Sequence, residues 1–131
     1  MSAARFVGVE QRRRLVEVAR DVTQRLGLER VEFVEGDAFD VDWRRFTGVY
    51  LYNPFAEAIR FGEEAVERFD LTHMHTTYFE ALQDAAISLY QLPVGVRVAT
   101  YHGYGGPMPK GYVAIASERL GTGTLEVWER R

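Results

Sequence analysis

Apolar and polar positions change period several times along the chain, and each change marks an element. Arg5-Phe-Val-Gly-Val-Glu10 is a short β-rich run that ends on an acid, the pattern of a buried parallel strand. From Gln11 to Leu26 the period becomes helical. Leu15, Val18, Ala19, Val22 and Leu26 recur at three- and four-residue steps and predict one apolar stripe. Arg12, Arg13, Glu17, Arg20 and Asp21 fill the other face, and Gly27 is a suitable stop because glycine takes the left-handed conformation without a Cβ clash. A second strand follows over Arg30–Glu35, with Val31, Phe33 and Val34 as its inward candidates. Asp42–Phe46 reads as a turn or a single helical turn. Gly48–Tyr52 is a third strand, ended by Asn53-Pro54, since proline cannot donate to a ladder.

Further on, Phe55–Thr72 reads as a helical connection broken at Gly62. His75–Gln91 is a clearer helix, with Phe79, Leu82, Ala86, Leu89 and Tyr90 on one side and Pro93 closing it. Val94–Tyr101 is a fourth strand. His102–Pro109 is rich in turn residues. Tyr112–Glu118 and Thr124–Glu129 form a predicted antiparallel hairpin across Leu120-Gly-Thr-Gly123. Strand, helix, strand, strand, helix, strand and hairpin in that order define an α/β fold. The expectation is a mostly parallel sheet covered by helices, with an antiparallel edge, in one domain spanning residues 1–131.

Composition narrows the picture. Hydrophobic residues make up 47% of the 131, enough for a core. The absence of cysteine excludes a disulfide scaffold and thiolate metal ligation, and suits a reducing cytosol. A net charge of −3 gives no broad nucleic-acid footprint, so a nucleic-acid partner is not expected. Arg12-Arg13-Arg14 reads as a solvated helix face. No apolar run is long enough to span a bilayer, and no secretory pattern opens the sequence. A cytoplasmic location is therefore expected. His73 and His75 lack a third ligand, so no metal is expected.

In an open parallel sheet, ligands sit beyond the carboxyl ends of the strands. Glu10, ending the first strand, has the chemistry to accept hydrogen bonds from ribose hydroxyls. Asp37 follows the second strand with Ala38 and Phe39 behind it. A carboxylate beside an apolar pair suits an adenine amino group with its ring on apolar surface. Asn53-Pro54-Phe55 follows the third strand and offers an amide and exposed carbonyls. Each acid alone is more often a helix cap or a solvated turn, and Asn-Pro is a common turn. Three such tips in order, one strand apart, are a stronger signal. Tyr101-His102-Gly-Tyr104 follows the fourth strand and is either a plain glycine-rich turn or a wall of a substrate pocket, with His102 as a proton acceptor. Trp43 and Trp128 read as packing residues.

The run Phe6–Glu10, the helix to Gly27-Leu28, Val31–Phe39 and Val49–Phe55 together resemble successive motifs of class I, Rossmann-like S-adenosylmethionine-dependent methyltransferases. The terminal hairpin fits the same family, and the resemblance covers nearly the whole chain. It implies that Glu10 binds the cofactor ribose, that Asp37, Ala38 and Phe39 lie near the adenine, and that Asn53, Pro54 and Phe55 border the methyl-transfer site, with Asn53 also touching the cofactor. Tyr52 and His102 would then contact the acceptor, which stays open among a protein lysine, a small amine and a hydroxyl.

The family's first, central strand and its glycine-rich loop have no counterpart here. Expected explanations are a fragment or misassigned start, which is favoured, or completion by another chain, including self-association through unpaired sheet edges. That departure also supports a second reading, a non-catalytic binding or assembly domain derived from such an enzyme. A nicotinamide-dependent oxidoreductase is a third, since an acid after the second strand is shared, but the antiparallel hairpin argues against it.

Overall fold

The computed structural model describes residues 3–52 and 78–131. The chain divides into two compact units, one carrying described residues 3–41 and the other 42–52 and 78–131. The predicted helical connection over Phe55–Thr72 and the imidazoles of His73 and His75 lie outside the described residues.

The first unit holds strand β1 (Phe6–Glu10), helix α1 (Arg13–Arg25) and strand β2 (Val31–Glu35). The two strands pair in parallel, Phe6 opposite Val31 through Glu10 opposite Glu35, with α1 as the crossover packed on both. Gly27, at φ 64°, turns the chain out of the helix as the sequence predicts. The buried face of α1 shares only Ala19 with the predicted stripe. Val16 is fully buried and Ala19 and Thr23 are half-buried, whereas Leu15, Val18, Val22 and Leu26 are exposed. Two apolar stripes about one position apart wind round this helix, and periodicity alone does not say which one meets the sheet. A 3-10 turn at Ala38–Asp40 closes the described part of this unit.

The second unit opens with a 3-10 turn at Trp43–Arg45, where Trp43 is buried, and continues into strand β3 (Gly48–Tyr52). Helix α2 (Tyr78–Tyr90), strand β4 (Arg97–Tyr101) and the hairpin β5 (Tyr112–Leu120) and β6 (Gly123–Arg130) follow. The sheet order is β3-β4-β6-β5: β3 pairs with β4 in parallel, and the hairpin joins through β6 antiparallel to β4. The α/β class and the antiparallel carboxyl-terminal hairpin are as expected, and the parallel pairs β1-β2 and β3-β4 lie in two separate sheets.

Leu51, Val98 and Thr100 share the buried face of the second sheet, and Ala81, Ala85, Leu89 and Leu92 are the buried side of α2 and its exit. Phe79 and Tyr90, expected inside, are exposed. Small residues at 81 and 85 present a flatter surface to pack than the aromatic stripe beside them. Tyr112 ties the helix down by donating its hydroxyl to the Leu89 carbonyl at 2.6 Å, and the Arg130 guanidinium lies 5.3 Å from the Tyr90 ring centroid. Strand β4 starts at Arg97 rather than Val94, because Gly95, at φ 90°, still belongs to the turn.

Candidate functional site

Glu10 and Asp37 come from neighbouring strand ends in the first unit. Glu10 is the last residue of β1 and stands opposite Glu35. The Gly36 N–H then donates to the Glu10 carbonyl at 3.1 Å, which carries the ladder one step further and brings Asp37 next in line. Parallel pairing in register therefore puts both acids at the carboxyl edge of the same pair of strands, where ligand chemistry concentrates.

Their surroundings differ. The Glu10 carboxylate is half-buried and held by Arg12. The Arg12 backbone N–H donates to Oε1 at 2.9 Å, its Nε to Oε1 at 3.0 Å and its Nη2 to Oε2 at 3.1 Å. Burial by itself pushes the Glu10 pKa up. The Arg12 side-chain and backbone hydrogen bonds, its charge and the Gln11 N–H together outweigh burial and hold the carboxyl below its ordinary value. Asp37 is buried, 5% exposed, and its Oδ1 accepts the Phe39 N–H at 2.9 Å as the N-cap of the 3-10 turn. Ala38 and Phe39 are half-buried within that turn.

Arg12 departs from the reading of the arginine run as a solvated face. Arg13 does fit it, exposed and paired with Glu17 at 3.1 Å one turn on. The signal for Arg12 is the Glu-x-Arg spacing across a strand-to-helix turn. A carboxylate at a strand end and a guanidinium two residues later at the helix N-cap face each other.

In the second unit, Tyr52 ends β3 opposite Tyr101, the end of β4. Their rings stack at 5.5 Å between centroids with 20° between planes. The His102 ring lies 4.3 Å from Tyr101 and 5.9 Å from Tyr52. Tyr52 and His102, the two expected acceptor contacts, are thus brought together, in a triangle of rings completed by Tyr101. Tyr101 donates its hydroxyl to the Leu120 carbonyl at 2.6 Å, which fixes the ring against the hairpin turn. His102 has φ 61°, a left-handed backbone that is uncommon for a side chain of its size. A Cβ on Gly123 would stand 2.5 Å from His102 Cε1, so glycine there is what lets the imidazole lie on the hairpin. Tyr104 is buried and donates to the Pro107 carbonyl at 2.6 Å, and burial raises its pKa. Asn53, Pro54 and Phe55, the expected border of the transfer site, lie outside the described residues.

Among the described residues no group of His, Asp and Glu could hold a metal ion. No helix among them is long and apolar enough to cross a membrane.

No family model matches the sequence, and no curated protein matches it. Solved structures do share its fold. An RNA methyltransferase from Salinibacter ruber in complex with S-adenosyl-L-homocysteine superposes with a TM-score of 0.64 at 23% identity, over 99% of this chain and 68% of that one. A candidate methyltransferase from Escherichia coli, yhhF, gives 0.62 at 13% identity, over 98% of this chain and 63% of that one. A candidate methylase from Haemophilus influenzae gives 0.59 at 14% identity, over 98% and 73%. The fold is that of a class I, Rossmann-like methyltransferase. The chain spans about two thirds of the length of these structures.

Proposed function

We propose that this chain is the cofactor-binding portion of an S-adenosylmethionine-dependent methyltransferase. The observation that carries the reading is the placement of Glu10 and Asp37 on adjacent parallel strand ends, in a fold shared with methyltransferases. The complex of the Salinibacter ruber enzyme with S-adenosyl-L-homocysteine supports the choice of cofactor.

The donor and acceptor chemistry fits a nucleoside. Ribose hydroxyls and an adenine amino group are donors, and both acids are acceptors. Glu10, held ionised by Arg12, would hold the ribose. Asp37 would face the adenine edge, with Ala38 and Phe39 as the apolar surface for the ring. The cofactor supplies an activated methyl group on a sulfonium, so the protein's work is orientation and proximity rather than covalent catalysis. Asn53, Pro54 and Phe55 would shape the transfer site. Tyr52 would pack against the acceptor. His102, exposed and pinned on Gly123, would accept the proton that an amine or hydroxyl acceptor gives up.

One observation favours the second reading, a non-catalytic binding or assembly domain. Both acids already have protein partners, Arg12 on Glu10 and the turn N–H on Asp37. Calorimetry with S-adenosyl-L-homocysteine separates the two. A methyltransferase binds it, and Glu10→Ala weakens that binding at least tenfold, on the order of the cost of losing a charged hydrogen-bond partner. Unchanged affinity in Glu10→Ala removes Glu10 from the site, and no binding at all leaves the assembly reading.

A further inference from the structure

We infer that Arg12 gates the Glu10 carboxylate: its guanidinium occupies acceptor positions that a ribose diol needs, and a nucleoside binds as Arg12 turns away. The inference rests on the reading of Glu10 as a ribose acceptor.

An ionised carboxylate offers about four lone-pair positions. Both positions on Oε1 are filled, by the Arg12 backbone N–H at 2.9 Å and by its Nε at 3.0 Å. On Oε2 one is filled, by Nη2 at 3.1 Å. A vicinal diol donates through two hydroxyls, and with the Gln11 N–H also acting on the carboxylate this arrangement leaves room for at most one. The backbone bond cannot be surrendered cheaply, because Arg12 begins α1: its carbonyl accepts from the Leu15 and Val16 N–H groups at 2.9 and 3.1 Å. The guanidinium can be surrendered. It sits on a rotatable stem with its side chain 28% exposed, and its removal frees one position on each oxygen.

Electrostatics make Arg12 a genuine competitor. The first turn of α1 contains no acidic residue, and Arg12, Arg13 and Arg14 crowd the positive end of the helix dipole, where cations are disfavoured. Arg13 has its own partner in Glu17. Glu10 compensates the Arg12 charge in this place through the fork. Its fork is a charge-assisted pair of bonds, stronger than those of neutral hydroxyls. Nucleoside affinity is therefore set by what Arg12 gives up as much as by what Glu10 offers, and a carboxylate that looks ready in the sequence is self-occupied in the fold.

Arg12→Met tests this, because it keeps the aliphatic stem and the backbone N–H while removing the fork. S-adenosyl-L-homocysteine is titrated calorimetrically into the whole chain as wild type, Arg12→Met, Glu10→Gln and the double variant, with folding checked by circular dichroism. Arg12→Met is expected to bind about threefold to tenfold tighter than wild type, the scale of a partly exposed ion pair. Added salt is expected to tighten binding in wild type and to leave Arg12→Met unchanged. Equal or weaker affinity in folded Arg12→Met overturns the gate. If Glu10→Gln still weakens binding in that case, the ribose reading survives and the gate alone is lost. If Glu10→Gln changes nothing in either background, or no variant binds, the ribose reading fails and the gate falls with it.

Discussion

At the scale of single residues, what decides the chemistry is how a side chain's hydrogen-bonding capacity is spent. Glu10 spends most of its capacity on Arg12, and the pairing has a pH signature. The folded carboxyl titrates below its unfolded value, so its stabilising contribution is complete above the unfolded pKa and disappears as pH falls through the folded one. Urea melts of wild type and Glu10→Gln are expected to differ by about 1 kcal/mol at neutral pH, given that the pair is partly exposed. The difference is expected to close at acid pH; one that persists there would mean that Glu10 acts through packing rather than charge. His102 offers a second residue-scale test. Gly123→Ala puts a methyl group where the imidazole lies. It is expected to cost about 1–3 kcal/mol as an overpacked contact, and to move the His102 ring resonances in an NMR spectrum. Unchanged ring resonances would show that His102 is not seated on the hairpin.

At the scale of elements, each predicted strand and helix that falls within the described residues is present, and the misjudgements concern faces. The strands were legible because Phe6–Glu10, Val31–Glu35 and Gly48–Tyr52 are short apolar runs bounded by turn residues, and the hairpin because Gly121 and Gly123 flank its turn. The buried faces were less legible because α1 and α2 are each apolar on more than one side. In α1 the exposed positions 15, 18, 22 and 26 compete with buried Val16 and half-buried Ala19 and Thr23. In α2, Phe79, Ile87 and Tyr90 remain exposed beside buried Ala81 and Ala85. Hydrophobicity ranks residues, whereas packing against a sheet selects for shape. The strand-end acids of the candidate site were legible from position, but the arginine that occupies Glu10 was not, since basic runs usually face solvent. The α1 assignment has a direct check. Val16→Ala is expected to lower stability by about 1–2 kcal/mol and Val18→Ala by less than about 0.5 kcal/mol in chemical denaturation. The reverse order would put the stripe read from periodicity back on the sheet.

At the scale of the whole molecule, two units each carry a part of the expected chemistry: strand-end acids in the first and an aromatic cluster with His102 in the second. Within the first, Phe6 N–H and Glu10 C=O point to β2, so strand geometry turns the backbone groups of Val7 and Val9 to the other side, where no strand pairs with them among the described residues. We propose that this edge supports self-association. Sedimentation is expected to show dimers growing with concentration and Val9→Pro abolishing them, since proline there deletes an outward N–H and spares the β2 ladder. A wild type that stays monomeric at all concentrations would remove the edge from the account. The reading as a whole depends on a nucleoside lying across the ends of β1 and β2. The most direct test is an amide NMR titration of the chain with S-adenosyl-L-homocysteine. Shifts concentrated at residues 10–12 and 36–39 are the expected result; shifts confined to other residues, or none at saturating ligand, would contradict it.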